Sequence, residues 1–209
     1  MTIRRMVLLA LLMVLASTQS PILASTIQAA APAVEARSAP EQLTADTQRV
    51  TGAGASFMVP AGWSVVTGKN LVILQPPEAD THIAIVDTQA SDAAGAVAAG
   101  WAAYKPEHKW PVKVVTSRPP REGWEDRQVF DYETSPNERA VVQAVALRAG
   151  SAWTAVILDG SEPTFEKRSA PIGLIVQSLR PKGYHRESFA GRKAHPLDAA
   201  RIADIKAFV

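Results

Sequence analysis

The chain has 209 residues, a length that suggests one domain or at most two, and it contains no cysteine, so it folds without disulfides. It carries 22 Lys and Arg against 20 Asp and Glu, and without Arg4 and Arg5 the two counts are equal. The remainder is therefore neutral, which gives no reason to propose nucleic acid or an anionic membrane as a partner.

The N-terminus has the pattern of a secretory signal peptide. Arg4 and Arg5 precede an unbroken apolar run, Met6 to Ala16, which is too short to span a bilayer and suits an h-region. Small residues follow, so we expect residues 1–24 to be removed, with cleavage between residues 24 and 31. The alternative is an uncleaved anchor. The signal predicts a secreted or periplasmic protein that meets a membrane only before cleavage.

The segment 25–48 is rich in Ala, Pro, Thr, Ser and Gln and contains no aromatic residue. Pro32 and Pro40 would interrupt a helix. This composition predicts a disordered, flexible tether. All five tryptophans come later in the chain, so we expect the folded domain over residues 49–181.

The predicted domain consists of runs of strands separated by single helices. Four short strands come first, and turns as short as PAGW and TGKN make them antiparallel neighbours. An Ala-rich helix and four more strands follow, and the residues DGSEP, 159–163, are expected to end the last strand. A second helix, with Pro171 inside it, ends before Pro181. The predicted strands are 55–59, 63–66, 71–75, 82–87, 112–117, 128–133, 140–148 and 152–158.

This order predicts an α+β fold, with an antiparallel sheet of about seven or eight strands and helices packed on it. A doubly wound parallel sheet would need a helix after almost every strand, and the sequence does not supply them. On the Ala-rich helix, Val97, Trp101 and Tyr104 recur on one face. Gly95 and Gly100 weaken this helix but would let it lie close to the sheet.

Two stretches of the predicted domain resemble a known group of folds. The segments FMVPAGW and LVILQPPEADTHIAIVD, followed by the Ala-rich helix and a closing helix that ends in SLRP, are similar to Mog1/PsbP-like and DcrB-like α/β/α sandwich domains. The resemblance implies a binding or accessory domain rather than a catalyst.

The titratable residues form no recognisable catalytic arrangement. Asp80 and His82 could supply two metal ligands, but no third ligand stands at a suitable spacing, so we favour a loop carboxylate beside an edge-strand histidine. Gly52–Gly54 precedes a strand rather than a helix and lacks the spacing of a phosphate-binding loop. We therefore predict no catalytic residue, no cofactor and no metal.

Two aromatic groups could contact a ligand. The first is Trp124 in an acidic cluster, which could contact a sugar or a peptide, although a polar loop with one anchored aromatic is the simpler interpretation. Its neighbours are Glu122, Glu125, Asp126 and Arg127. The second group is Trp101, Tyr104 and Trp110, which could line a groove, although packing in the core explains them better.

The C-terminal part is expected to be a linker followed by a helix. Residues 182–195 are polar and basic, and the helix over 196–209 carries an apolar stripe that includes Ile202 and Ile205. This helix resembles the first helix of the penicillin-binding-protein-like serine hydrolases, which include class C β-lactamases. The residues that fall on the family's pattern are Leu197, Asp198, Ile202 and Val209.

That resemblance implies a catalytic domain whose nucleophile is the serine of a Ser-x-x-Lys motif. The sequence contains no such motif, so no catalytic residue carries over. We expect the chain to be the noncatalytic N-terminal accessory domain of a secreted β-lactamase-related serine hydrolase, truncated before its catalytic partner domain and inactive alone. The alternative is a complete periplasmic binding or scaffold protein.

Overall fold

The structure is a computed structural model that describes residues 37–186, 188, 190–191 and 198–208. The predicted signal peptide and the first part of the predicted tether lie outside these residues. None of the helices in the described ranges is long and apolar enough to cross a membrane.

The described residues form ten strands and four helices. The strands are β1 (Glu41–Gln42), β2 (Thr47–Val50), β3 (Ser56–Val59), β4 (Ser64–Thr67), β5 (Leu71–Gln75), β6 (Thr81–Thr88), β7 (Val112–Arg118), β8 (Asp126–Tyr132), β9 (Ala140–Ala149) and β10 (Ala152–Ser161). The helices are α1 (Ala93–Tyr104), α2 (Glu162–Lys167), α3 (Ser169–Ser178) and α4 (Ala199–Phe208).

Eight strands form one antiparallel sheet in the order β1-β4-β5-β6-β10-β9-β8-β7, while β2 and β3 form a separate hairpin. The short turns of the sequence produce two groups of consecutive neighbours, β4 to β6 and β7 to β10. Strand β6 pairs with β10 and joins the two groups. The predicted α+β class with an antiparallel sheet of seven or eight strands is confirmed.

Each face of the sheet has its own hydrophobic core, because successive side chains of a strand point to opposite faces. Helix α1 covers one face, where Trp101 packs in the same cluster as Ile157. On the other face, β3 and α3 contribute Phe57 and Ile175 to the second cluster. The fold is therefore a sandwich with the sheet in the middle.

Helix α1 lies unusually close to the sheet at Gly100. A Cβ atom there would lie 3.0 Å from the Cβ of Ala155 and 3.1 Å from the Cδ1 of Ile157. The absence of a side chain at Gly100 therefore allows the close approach that the sequence suggested. Asp92 caps the helix, since its Oδ1 accepts a hydrogen bond of 2.7 Å from the backbone N–H of Gly95.

The predicted tether differs from the structure over residues 37–48. Glu41–Gln42 pairs with Ser64 and Val65 of β4, and Leu43 is buried in the core. Thr47–Val50 then forms β2 against β3. Tertiary packing orders this segment, and one apolar side chain among polar neighbours leaves no periodic signal in the sequence.

The last strand of the sheet also continues beyond its predicted end. Strand β10 runs through Asp159 and Gly160 to Ser161, still paired with β6 and β9. The predicted second helix is divided into α2 and α3 at Arg168, so that Pro171 lies in the first turn of α3. Helix α4 lies within the predicted 196–209 helix and contains no buried residue.

Candidate ligand-binding cleft

A cleft of about 450 Å³ lies at the C-terminal end of α1. One wall is the segment 105–111 between α1 and β7, and the other is the connection between β8 and β9. The lining residues are Lys105, Glu107, His108, Lys109, Trp110, Pro111, Glu133, Ser135 and Glu138.

The first wall forms because α1 stops just before Pro106, which disfavours a helical residue ahead of it. The backbone N–H of Lys105 donates to the carbonyl of Trp101 at 2.7 Å, and that of His108 donates to the carbonyl of Lys105 at 3.1 Å. These bonds turn the chain back over the sheet. The two walls then meet where the N–H of Glu133 donates to the carbonyl of Pro111 at 2.9 Å.

The inner part of this region is an aromatic cluster. The imidazole of His108 stacks on the buried indole of Trp101, with the ring centroids 4.3 Å apart and the planes 12° from parallel. The indole N–H of Trp101 donates to the hydroxyl of Tyr132 at 2.7 Å. Burial raises the pKa of Tyr132, so the phenol stays protonated. The buried rings of this cluster therefore support His108 at the inner boundary of the cleft.

Trp110 differs from the other four tryptophans, which are all buried, because its indole is only half-buried and lines the cleft. The ammonium nitrogen of Lys105 lies 4.9 Å from the centre of the Trp110 ring, a cation–π contact. The indole N–H is 3.4 Å from an Oε2 of Glu138, which also accepts a 3.0 Å bond from the N–H of Ser135. These contacts fix the orientation of the Trp110 indole in the wall of the cleft.

The charges on the cleft are mixed, with a small excess of carboxylates. Glu107, Glu133 and Glu138 are exposed, and Lys105 and Lys109 supply two ammonium groups. Exposed carboxylates accept hydrogen bonds from ligand hydroxyl and amine groups.

A buried carboxylate fixes Lys105 at the end of α1. Asp159 is 3% exposed; its Oδ2 lies 2.9 Å from the Lys105 Nζ, and its Oδ1 accepts a 2.6 Å bond from the hydroxyl of Tyr104. Burial and the bond to Asp159 both raise the pKa of Tyr104, so the hydroxyl serves as a donor. Asp159 is the paired neighbour of His82 on β6.

Asp80 and His82, the pair considered as metal ligands, engage different partners. Asp80 accepts from the hydroxyl of Thr164 at 3.1 Å, whereas the Nε2 of His82 lies 3.1 Å from the amide nitrogen of Gln75, which can only donate. Burial lowers the pKa of His82, which favours the neutral imidazole. Within the described ranges, no three His, Asp or Glu side chains are grouped so as to hold a metal ion.

Trp124 anchors its loop, as favoured from the sequence. Its indole is buried and donates to the carbonyl of Leu179 at 3.2 Å. Glu122 forms an ion pair of 2.9 Å with Arg180. A cavity of about 90 Å³ beside this loop is small by comparison with the cleft.

The second predicted aromatic group is divided by the structure. Trp101 packs in the core, as favoured from the sequence, whereas Trp110 lines the cleft. The sequence did not point to Glu133, Ser135 or Glu138, because they reach the cleft from a connection far along the chain.

No protein-family model matches this sequence. No curated protein matches it. Among solved structures, the chain is similar to the solution structure of cyanobacterial PsbP (CyanoP) from Synechocystis sp. PCC 6803, with 14% sequence identity and a TM-score of 0.49. The similarity covers 66% of this chain and 94% of that chain. A match of this size bears on neither ligand nor activity.

Proposed function

We propose that this domain is a noncatalytic binding module that takes a carbohydrate into the cleft at the end of α1. The observation that carries the proposal is the half-buried indole of Trp110 in a wall that also holds exposed carboxylates. An indole offers a flat apolar surface to the C–H face of a sugar ring, and carboxylates accept bonds from its hydroxyl groups. Small-molecule sites commonly combine a concave aromatic surface with a few polar groups.

The distribution of charge favours a ligand with amine groups. Lys105 is already engaged by Asp159 and by the Trp110 ring, so its charge is largely satisfied within the protein. Glu107 and Glu133 are exposed in the lining and outnumber the remaining ammonium group, that of Lys109, so a cationic amine there would be attracted while an acidic sugar would be repelled. An oligomer of glucosamine is therefore the probe of choice.

Titration with glucosamine oligomers should change the tryptophan fluorescence saturably, because Trp110 is the half-buried indole. Trp110→Ala is expected to weaken binding by about tenfold or more, the effect of losing an aromatic anchor. Glu133→Gln should weaken it less, since one charge is lost and the ring remains. Isothermal calorimetry provides an affinity that does not depend on fluorescence.

Two controls make this experiment decisive. Trp110→Phe keeps a ring in the wall and should recover part of the affinity, while Glu41→Gln removes a distant exposed carboxylate and should leave binding unchanged. The uncharged N-acetylated oligomer should bind more weakly than the amine form. Equal affinity in wild type and Trp110→Ala, or no saturable binding, would contradict the proposal.

Helix α4 favours a second candidate function, that of accessory domain to a secreted β-lactamase-related serine hydrolase. Ile202 and Ile205 are 40% and 52% exposed, and Phe208 is 95% exposed. An exposed apolar stripe on a helix is expected to pack on another surface. The likeness of this helix to the first helix of such hydrolases suggests that the surface belongs to the hydrolase domain.

This second candidate predicts that the genomic DNA just downstream encodes a Ser-x-x-Lys motif. A polypeptide expressed to include that region should hydrolyse nitrocefin or a chromogenic ester, whereas the present chain should not. Downstream DNA without the motif in any frame would rule out the accessory role, and turnover by the present chain alone would contradict both functions.

A further inference from the structure

Among the residues that the structure describes, strand β7 leaves one long side of the sheet without a neighbouring strand. It is the outer strand of the eight, it pairs with β8 alone, and six of its seven residues are exposed. Val112, Val114 and Val115 are each about half exposed, at 50%, 47% and 46%. The opposite edge, β1, has two residues.

An outer strand of this length with exposed valines is a template for adding another strand. Across the described residues, the backbone of β7 makes no hydrogen bond to a strand other than β8. Proteins commonly protect such edges with charges, and here Lys113 lies at the irregularity between Val112 and Val114. Lys113 and Arg118 place charges near the two ends of the strand, and the uncharged segment between them, Val114–Ser117, remains able to pair.

We propose that β7 pairs antiparallel with β7 of a second copy of this chain, so that two sheets join across a two-fold axis at Thr116. In this register Thr116 stands opposite Thr116 of the second copy, and Val115 stands opposite Ser117. Val114 then stands opposite Arg118. Each pair keeps its side chains on one face, and cross-strand Thr–Thr pairs are favourable.

The charges of β7 weaken this register only at its ends, where Lys113 lies beside the Val114–Arg118 pair. No like charges stand directly opposite each other, an arrangement that would destabilise the pair. The two Arg118 residues lie at opposite ends of the five-residue ladder, about 13 Å apart along the strands at the usual rise per residue. Salt at physiological strength screens charges beyond about 8 Å, so their repulsion is small.

The unequal lengths of the two edge strands predict a dimer rather than a larger assembly. A two-fold contact uses the same strand of both copies and closes on itself. Continued growth would need a second long edge, and β1 is too short to supply one. The five residues that each copy contributes are far fewer than the roughly 20–30 per partner of a stable interface. We therefore expect a weak dimer whose population rises with protein concentration.

A single-cysteine experiment tests the register, because the chain contains no natural cysteine. Paired Cα atoms in an antiparallel sheet lie about 4.5–5.5 Å apart, within the range that a disulfide can bridge. Mild oxidation of the full chain carrying Thr116→Cys should yield a disulfide-linked dimer at least tenfold faster than Thr67→Cys. Thr67 is an exposed strand residue away from β7, which makes it the matched control.

The same dimer should be visible without cross-linking. Sedimentation velocity of the wild-type chain should show a concentration-dependent shift towards a dimer. Val115→Lys, which changes an exposed side chain and leaves both cores intact, should abolish that shift and slow the cross-linking of Thr116→Cys by tenfold or more. A monomer at all concentrations, or equal cross-linking of Thr116→Cys and Thr67→Cys, would overturn the proposal, as would binding of an acidic peptide strand in place of a second copy.

Discussion

Replacing Trp101 by Ala is expected to lower the free energy of unfolding by about 3–5 kcal/mol, the usual cost of removing a large buried aromatic side chain. Trp101 is 1% exposed and lies between α1 and the sheet. Its loss removes the stack with His108 and the edge contact with Tyr132, whose ring centroids lie 4.3 Å and 5.6 Å away. It also leaves the buried hydroxyl of Tyr132 without its 2.7 Å donor. Urea unfolding followed by far-ultraviolet circular dichroism measures the change.

Trp101→Phe separates packing from hydrogen bonding in this cluster. The smaller ring retains much of the aromatic contact but has no N–H for Tyr132, so we expect a loss between that of the alanine variant and wild type. A cost below about 1 kcal/mol for Trp101→Ala, well under the usual range for such a truncation, would mean that the cavity collapses around the deletion. In that case the inner boundary of the cleft would not depend on Trp101.

Gly160→Ala is expected to destabilise the domain by about 3 kcal/mol or more, because strain and overpacking coincide. Gly160 has φ of +151°, and a Cβ there would lie 2.4 Å from the Cα of Thr81 and 2.6 Å from the carbonyl oxygen of Asp80. These are backbone atoms that cannot rotate away, so β6 and β10 would have to separate. The midpoint of urea unfolding should fall accordingly.

Gly150→Ala is the matched control for that substitution. Gly150 lies in the turn between β9 and β10 with φ of +59°, and a Cβ there would meet no atom within 4 Å. Its cost should therefore be the left-handed backbone penalty alone, about 1–2 kcal/mol. Equal costs at the two positions would show that the contact with Thr81 is relieved without disturbing the sheet.

Much of the sheet follows from the sequence because alternation and turns are local signals. The strand predicted at 71–75 is β5, and the strand predicted at 82–87 lies within β6. Asp159 and Gly160 look like a turn, and no local rule predicts that the strand continues through them. Gly160 lies against Thr81, and Asp159 is buried against Lys105, so long-range contacts decide the conformation.

The cleft could not be predicted as a site for the same reason. The sequence identifies Trp110 as an aromatic residue that could line a groove, but its neighbours Glu133 and Glu138 come from another part of the chain. The two walls meet through the bond between Glu133 and Pro111, which follows from the pairing of β7 with β8. The pattern of residues along the sequence does not show that these two segments lie side by side in the folded protein.

Pairing of β6 with β10 is expected to be the rate-limiting step of folding. Within each group of consecutive strands, neighbours are joined by short connections and can pair early at a small entropic cost. The β6–β10 ladder instead joins residues separated by a helix and three other strands, and contacts so distant in sequence slow folding. We therefore expect the two half-sheets to form first. The β6–β10 ladder, in the middle of the finished sheet, is expected to form last.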